Sequence, residues 1–148
     1  MDPKLKAFLD LIGWSEGADY NTIVTGVNGP STFTDFSDHP FAHGGSVTVR
    51  RVPLLISTAA GRYQVLAHYF EAYKAQLGLT DFSPASQDAV ALQQMKERGV
   101  PFLLKEDRVQ EAITACSYIW ASFPGNSYGQ GGKSTEDLLT KYQEFLTS

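Results

Sequence analysis

The feature that most narrows what this chain can fold into is a change of hydrophobic period along it. Leu5, Phe8, Leu9 and Ile12 recur at the spacing of one helix face, whereas Thr22-Ile23-Val24-Thr25 and Val47-Thr48-Val49-Arg50 are rich in β-formers. After Ala59-Ala60-Gly61 the helical period returns and persists to the C-terminus. Strands confined to one internal stretch, with helices on either side, predict an α+β fold: a mainly helical lobe with a small β wing over about residues 20–57. A groove between wing and helices is then the natural place for a ligand.

Punctuation sets the element boundaries. Asp2-Pro3 reads as an N-cap followed by a first-turn proline, so a first helix is predicted from about Pro3 to Ser15, with Gly17 as its left-handed exit. That leaves Glu16 at a helix C-terminus. Asn28-Gly29 and Gly44-Gly45 mark turns within the wing. A second helix carries Leu66, Tyr69, Phe70, Tyr73 and Leu77 on one face and stops at Gly78. A third opens at Ser83-Pro84, carries Ala89, Leu92 and Met95, and stops at Gly99. A fourth, from about Asp107 to Ser122, buries Val109, Ile113, Cys116 and Trp120; a last, from about Thr135 to Leu146, buries Leu138, Leu139 and Tyr142. No repeat or linker interrupts the chain, so residues 1–148 are expected to form a single domain, with Pro124 to Lys133 its long late loop.

Charge and cysteine usage exclude several functions. Twelve Lys+Arg against 16 Asp+Glu leave a net charge of −4, which provides no surplus to neutralise a phosphate backbone, so nucleic acid is not an expected partner. The single Cys116 cannot form an internal disulfide. It shares an apolar helix face with Val109, Ile113 and Trp120, so a buried structural cysteine is favoured over a thiol nucleophile paired with His68. No apolar run approaches the roughly 18 residues that span a bilayer, and the start at Met1-Asp2-Pro3-Lys4 has no basic segment leading into an apolar one. Neither stable membrane association nor an export signal is expected.

Glu16 is the leading candidate for chemistry. The last-turn carbonyls of a helix disfavour a negative charge, and flanking Trp14 can supply an apolar wall; both effects raise a carboxyl pKa. A carboxylic acid kept protonated near neutral pH suits glycosidic cleavage, in which the leaving oxygen must receive a proton. The plain alternative is a solvated glutamate at a helix end. Asp35 and Asp38, within Phe33-Thr34-Asp35-Phe36-Ser37-Asp38-His39-Pro40, are candidates for a second carboxylate, against the simpler reading of an Asx turn. His39 and His43 beside them lack a tight ligand spacing, so no metal and no other cofactor is expected. Gly61-Arg62-Tyr63-Gln64 reads as a helix start able to orient a neutral polar ligand through Gln64 and free backbone N–H groups. Ser127-Tyr128-Gly129-Gln130 is either a glycine-rich lip or a connector. Tyr20, Tyr128 and Phe36 fall outside the helical stripes and are candidates for the groove.

Trp14-Ser15-Glu16-Gly17, the stretch from Phe33 to Pro40, Ala60-Gly61-Arg62-Tyr63-Gln64 and the run from Asp81 to Gln94 occur together in this order. With Lys96-Glu97-Arg98-Gly99, Ile119-Trp120-Ala121-Ser122 and Tyr128-Gly129-Gln130, they extend over nearly the whole chain. In this the sequence resembles the lambda-type phage lysozymes, the endolysin family of peptidoglycan lytic transglycosylases. The resemblance implies a lysozyme-like fold with Glu16 as the lone catalytic acid. It implies cleavage between N-acetylmuramic acid and N-acetylglucosamine, with the muramic C6 hydroxyl closing a 1,6-anhydro ring. By the same resemblance Gln64 and Tyr128 line the muramic subsite; Asp35, Tyr63 and Gln130 are added here as substrate-binding candidates. It also implies a monomer that accumulates in the host cytoplasm and reaches the wall when a holin opens the inner membrane. A hydrolase that uses a loop aspartate and water, or a non-catalytic glycan-binding domain, are the alternatives. The chain departs from the family at Tyr20–Thr32 and Gly44–Ile56, where the upper lip of the groove would lie.

Overall fold

The computed structural model describes residues 1–125 and 132–148. Its elements run, in chain order, α1 (Pro3–Glu16), β1 (Thr22–Gly26), β2 (Gly29–Thr32), β3 (Val47–Arg51), β4 (Leu54–Ser57), α2 (Ala67–Leu77), α3 (Pro84–Glu97), α4 (Val100–Lys105), α5 (Val109–Cys116) and α6 (Thr135–Thr147). The chain divides into two compact units, Met1–Gly17 with Ala91–Ser148, and Ala18–Val90, the boundary falling inside α3. Among the described residues no helix is long and apolar enough to cross a membrane.

The first unit is helical. Asp2 caps α1 through its carboxylate, which accepts from the Lys4 amide at 2.7 Å, and Pro3 fills the first turn where its missing N–H is no loss. Phe8, Leu11 and Ile12 of α1 are fully buried, each side chain contributing about 1.5–3 kcal/mol of transfer free energy. α1 packs against α6 and α4, and α4 against α5. Val109, Ile113, Cys116 and Trp120 are buried as their spacing predicts, and Phe8 meets the ring of Phe123 edge-on at 6.0 Å. Burial pushes the Cys116 thiol up to about 12, so it is packing material and not a thiolate.

The second unit holds the strands. β1 and β2 form one antiparallel hairpin, turning at Val27-Asn28, one residue earlier than the expected Asn28-Gly29, since Gly29 already pairs with Gly26; β3 and β4 form another. β1 also lies beside β3, the Val27 amide donating to the Thr48 carbonyl, and bridges at Ile23 to Ala60. Phe33, Ala60, Val65, Phe70, Phe82 and Val90 make this unit's core.

Several expectations are corrected. The segment 61–64 does not open a helix; it is a tight turn closed by the Ala60–Val65 bridge, and α2 begins at Ala67. Tyr69 is half exposed and Phe70 is the buried residue of α2. On α3 the buried apolar positions are Val90, Ala91 and Met95, where Ala89 and Leu92 are only partly covered. The predicted helix from 107 to 122 ends at Cys116, and α4, begun by Gly99 in the left-handed region, has no counterpart in the sequence reading. Leu138 and Tyr142 are buried on α6, Leu139 only partly.

His39 is buried in the second unit among Phe41, Phe70 and Phe82. Its Nδ1 accepts from the Phe41 amide at 3.1 Å, so Nε2 carries the hydrogen and donates to the Val65 carbonyl at 2.9 Å. Protonation at Nδ1 would break the first bond and place a charge among rings. Burial therefore holds the pKa below the ordinary histidine value, against the opposing pull of the Val65 carbonyl and Asp38. A neutral buried imidazole favours folding above about pH 6.5, and that stability is lost as pH falls through 6.5 toward the folded pKa, because the unfolded chain then binds the extra proton. Melting temperatures of the wild type should fall between about pH 7 and 5 more steeply than those of His39→Gln. Parallel slopes would show that His39 is not the group responsible.

Candidate active site

Glu16 occupies the last residue of α1. Gly17, at φ 64°, turns the chain out of the helix, and its N–H closes back on the Trp14 carbonyl at 3.1 Å. A residue with a Cβ resists that conformation, so the glycine fixes where the helix stops and hence where Glu16 sits. The Glu16 side chain is partly buried. Its Oε2 accepts from the Ser122 hydroxyl at 2.5 Å, and Ser122 in turn lies 2.7 Å, oxygen to oxygen, from the hydroxyl of buried Ser15. Burial raises the Glu16 pKa above the usual carboxyl range, and the Ser122 bond offsets part of that rise. The direction is the one read from the sequence, with burial as the cause. Trp14 does not stand as a bare apolar wall: the ammonium groups of Lys133 and Lys141 lie 5.0 and 5.5 Å from its ring centre.

The aspartates of the loop after β2 behave oppositely. Asp35 is exposed and accepts from the Ser37 amide at 2.9 Å, an Asx turn that keeps its pKa low. For Asp38, burial works against ionisation, but the His39 amide and the Lys74 ammonium, 3.1 Å away, outweigh it and hold the pKa down. The Asp38–Lys74 pair ties this loop to α2.

Gln64 is partly buried and adopts φ 52°, uncommon for a residue with a side chain. Its amide nitrogen donates to the Gly61 carbonyl at 2.8 Å and to the Thr22 carbonyl at 3.4 Å. Both amide hydrogens are thereby engaged, so what Gln64 offers a ligand is its acceptor oxygen. Backbone N–H groups of this segment are not free as expected: Arg62 donates to Gln87 Oε1 at 2.9 Å, Gln64 to the Gly61 carbonyl and Val65 to the Ala60 carbonyl. Tyr63 is 4% exposed, and its hydroxyl donates to Asp88 at 2.5 Å while accepting from Arg62 at 3.2 Å. Burial, then Asp88, push its pKa up, so it stays a neutral donor. Tyr20 also donates to Asp88, at 2.8 Å, and the Arg62 guanidinium covers both tyrosine rings. Phe36 meets the Phe33 ring at a tilt of 59°, centres 4.9 Å apart, and packs against the core of its unit. Tyr128 and Gln130 lie outside the described residues.

Sequence reasoning did not find Ser15, Ser122, Gln87 and Asp88. Ser122 reads in the sequence as the last residue of a helix over 107–122, whereas it lies beyond the end of α5, and nothing local signals that it reaches a residue 106 positions away. Gln87 is detectable only in hindsight, as a polar residue on the buried side of α3.

Comparison with known proteins bears on this site. The sequence pattern of the endolysin family matches residues 6–147. The endolysin of Escherichia phage lambda is 48% identical over 94% of this chain and 89% of its own length. That of Escherichia phage P2 is 45% identical over 94% and 90%. A solved structure of bacteriophage lambda lysozyme complexed with a chitohexasaccharide aligns with a TM-score of 0.87 at 46% identity, over 98% of this chain and 95% of that one. A second, lysozyme from bacteriophage lambda, aligns at 0.84 and 44% with the same coverage. The fold is lysozyme-like α+β. From its sequence pattern, its relatives and its fold together, the chain belongs to the endolysin family, as a lysozyme-type enzyme acting on the peptidoglycan of the bacterial cell wall.

Proposed function

We propose that the enzyme cleaves the β-1,4 bond between N-acetylmuramic acid and N-acetylglucosamine by intramolecular transglycosylation, with Glu16 as its acid. The observation that carries this is the Glu16 carboxyl itself, partly buried, held at the end of α1 and with a raised proton affinity. A carboxyl that keeps its proton near neutral pH can give it to the glycosidic oxygen as the bond to the anomeric carbon breaks. As carboxylate it then takes the proton of the muramic C6 hydroxyl, whose oxygen closes on the anomeric carbon. The nucleophile is part of the same sugar, so it acts at high effective molarity and outpaces water.

The chitohexasaccharide bound to the lambda lysozyme supports a glycan strand as the ligand. In this reading Gln64, Asp35, Tyr128 and Gln130 contact the strand, with Gln64 accepting a hydrogen bond from a sugar hydroxyl or amide. Tyr63, through Asp88 and Arg62, holds the turn that presents Gln64. Asp38 secures the loop that carries Asp35. The enzyme works as a monomer without metal or cofactor, and reaches the wall from the host cytoplasm once a holin has opened the inner membrane.

Glu16→Gln should reduce lysis of permeabilised Gram-negative cells by about 10²–10⁴-fold, because the amide keeps the Ser122 bond but has no proton to give. Its melting temperature at pH 7 to 8 should be no lower than the wild type's. A carboxyl with a raised folded pKa is destabilising when ionised, so stability falls as pH rises from the unfolded toward the folded value, and the amide escapes that loss. Near-wild-type lysis by Glu16→Gln would remove Glu16 from the mechanism.

The product decides between ring closure and water. Purified peptidoglycan digested in ¹⁸O-labelled water should release fragments ending in 1,6-anhydro-muramic acid, lighter by one water than hydrolysis products, unlabelled and resistant to borohydride. Reducible, labelled ends as the main product would establish the hydrolase reading, with a loop aspartate such as Asp35 placing water.

A further inference from the structure

We propose that Ser15 and Ser122 form a one-way hydrogen-bond relay that positions Glu16 and divides the work between its two carboxyl oxygens. The proposal rests on the reading of Glu16 as the acid. Its basis is geometric. The Ser122 hydroxyl donates to Glu16 Oε2 at 2.5 Å, and the Ser15 and Ser122 hydroxyl oxygens are 2.7 Å apart. A hydroxyl has one hydrogen. Ser122 uses its hydrogen on Glu16, so Ser15 must be the donor to Ser122. The polarity runs Ser15 to Ser122 to Glu16.

Both serines are held in place. Ser15 is 6% exposed in the last turn of α1, one residue before Glu16. The Ser122 carbonyl accepts from the Lys133 amide at 3.0 Å, which pins the segment leading away from α5 to the segment entering α6. Neither hydroxyl titrates in the working range. The charged groups on α1 and the elements packed against it are Lys4, Lys6 and Asp10 on α1, Lys105 on α4, and Glu136, Asp137, Lys141 and Glu144 on α6, with Lys133 just before α6; Lys6 pairs with Asp10, Lys141 with Glu144, and Lys133 and Lys141 lie over Trp14. Residues 117–125 contribute no charged side chain.

Two consequences follow for the reaction. Because the protein already occupies Oε2, the transferable proton sits on Oε1, and Oε1 is the oxygen that faces the glycosidic bond. As that bond breaks, the Oε1 proton moves to the glycosidic oxygen, which leaves with the bonding electron pair; the hydrogens of Ser122 and Ser15 stay where they are. The same polarity also serves both states of Glu16. In the acid, Oε2 is a carbonyl oxygen and accepts; in the carboxylate it accepts through a stronger, charge-assisted bond, reinforced by the Ser15 hydroxyl behind it. The relay thus tightens as negative charge appears on Glu16, and no hydroxyl needs to rotate between steps. Stabilisation that grows with developing charge favours the transition state over the ground state.

The test is a pH profile of peptidoglycan turnover for the wild type, Ser122→Ala, Ser15→Ala, Ser122→Thr and Glu16→Gln. Activity falls on the alkaline side as the acid loses its proton. Loss of the Ser122 donor removes a bond that favours the carboxylate, so the alkaline limb of Ser122→Ala should move up by about one pH unit. Its kcat should drop by about 10–100-fold with KM little changed, since in the relay Ser122 acts through Glu16. Ser15→Ala should move both quantities the same way by less, and Ser122→Thr, which keeps the hydroxyl, should restore them. NMR titration of the Glu16 side-chain carbon reads the same upward shift without turnover. An unshifted titration in Ser122→Ala overturns the relay, even if kcat falls, because a merely structural role would leave the profile in place. Should Ser122→Ala not fold, Ser15→Ala carries the test: a Glu16 titration at the wild-type position overturns the relay. If Glu16→Gln remains active, the acid assignment itself fails, and that result is read independently of either serine.

Discussion

The position of Glu16 depends first on the abrupt stop of α1. The helix is anchored by burial of Phe8, Leu11 and Ile12 along its length and by Asp2 at its start. A glutamate on a frayed end would sample water and keep an ordinary pKa. Gly17 prevents fraying by closing the last turn onto the Trp14 carbonyl. The carboxyl is consequently fixed by the packing of its own helix, and burial can act on it without the chain ordering a mobile loop first. Preorganisation of this kind is what the proposed role of Glu16 as acid requires.

The second unit solves a different problem with buried polar side chains. Its hairpins are short and leave the segment 59–65 to be fixed by other means. Gln87, 2% exposed, accepts from the Arg62 amide and donates to the carbonyls of Tyr20 and Phe82. It does for this turn what a neighbouring strand would do in a larger sheet. A Cβ at residue 61 would run into the Gln87 amide and come within 3.0 Å of the Phe82 ring, and the backbone there has φ 84°, so only glycine fits. Gln64 accepts the left-handed conformation at the end of this turn because Gly61 and Thr22 supply acceptors for its amide. The left-handed backbone at Gln64 is thus over-determined by its surroundings.

Capping and period made much of this legible. Asp2-Pro3 and Gly17 bracket α1 because caps are local chemistry, and the first strand of each hairpin announces itself through β-branched residues. The segment 61–64 misleads for an equally local reason: Arg62 and Gln64 are good helix formers after a glycine, yet two positive φ angles and a strand-like bridge override that propensity. Val100–Lys105 escapes notice because a six-residue helix opening with Val-Pro has too few positions to show a period. Tyr69 fits the helical stripe and still faces solvent, since spacing gives a face but not its width. At the site, Glu16 was legible as a carboxyl at a helix end. Its partner Ser122 was not, because a hydrogen bond between residues far apart in sequence leaves no local pattern.

The carboxyl groups of this chain also show why position alone does not assign a role. Asp35, Asp38 and Asp81 have lowered pKa values and Glu16 a raised one, although all are ordinary acids. The difference lies in the balance of donors against burial. Asp35 is exposed and accepts a backbone amide. Asp38 is more covered, yet an amide and an ammonium outweigh the cover. Glu16 has the cover with a single hydroxyl to offset it. A second strong donor, or the direct approach of a cation, would turn it into another permanently ionised surface acid. Lys133 and Lys141 are drawn instead onto the face of Trp14, two residues before it, where the indole ring gives their charge a place to rest. What acts on the Glu16 carboxyl is burial, set against the one Ser122 hydroxyl, and the cations on the neighbouring indole enter that balance on neither side.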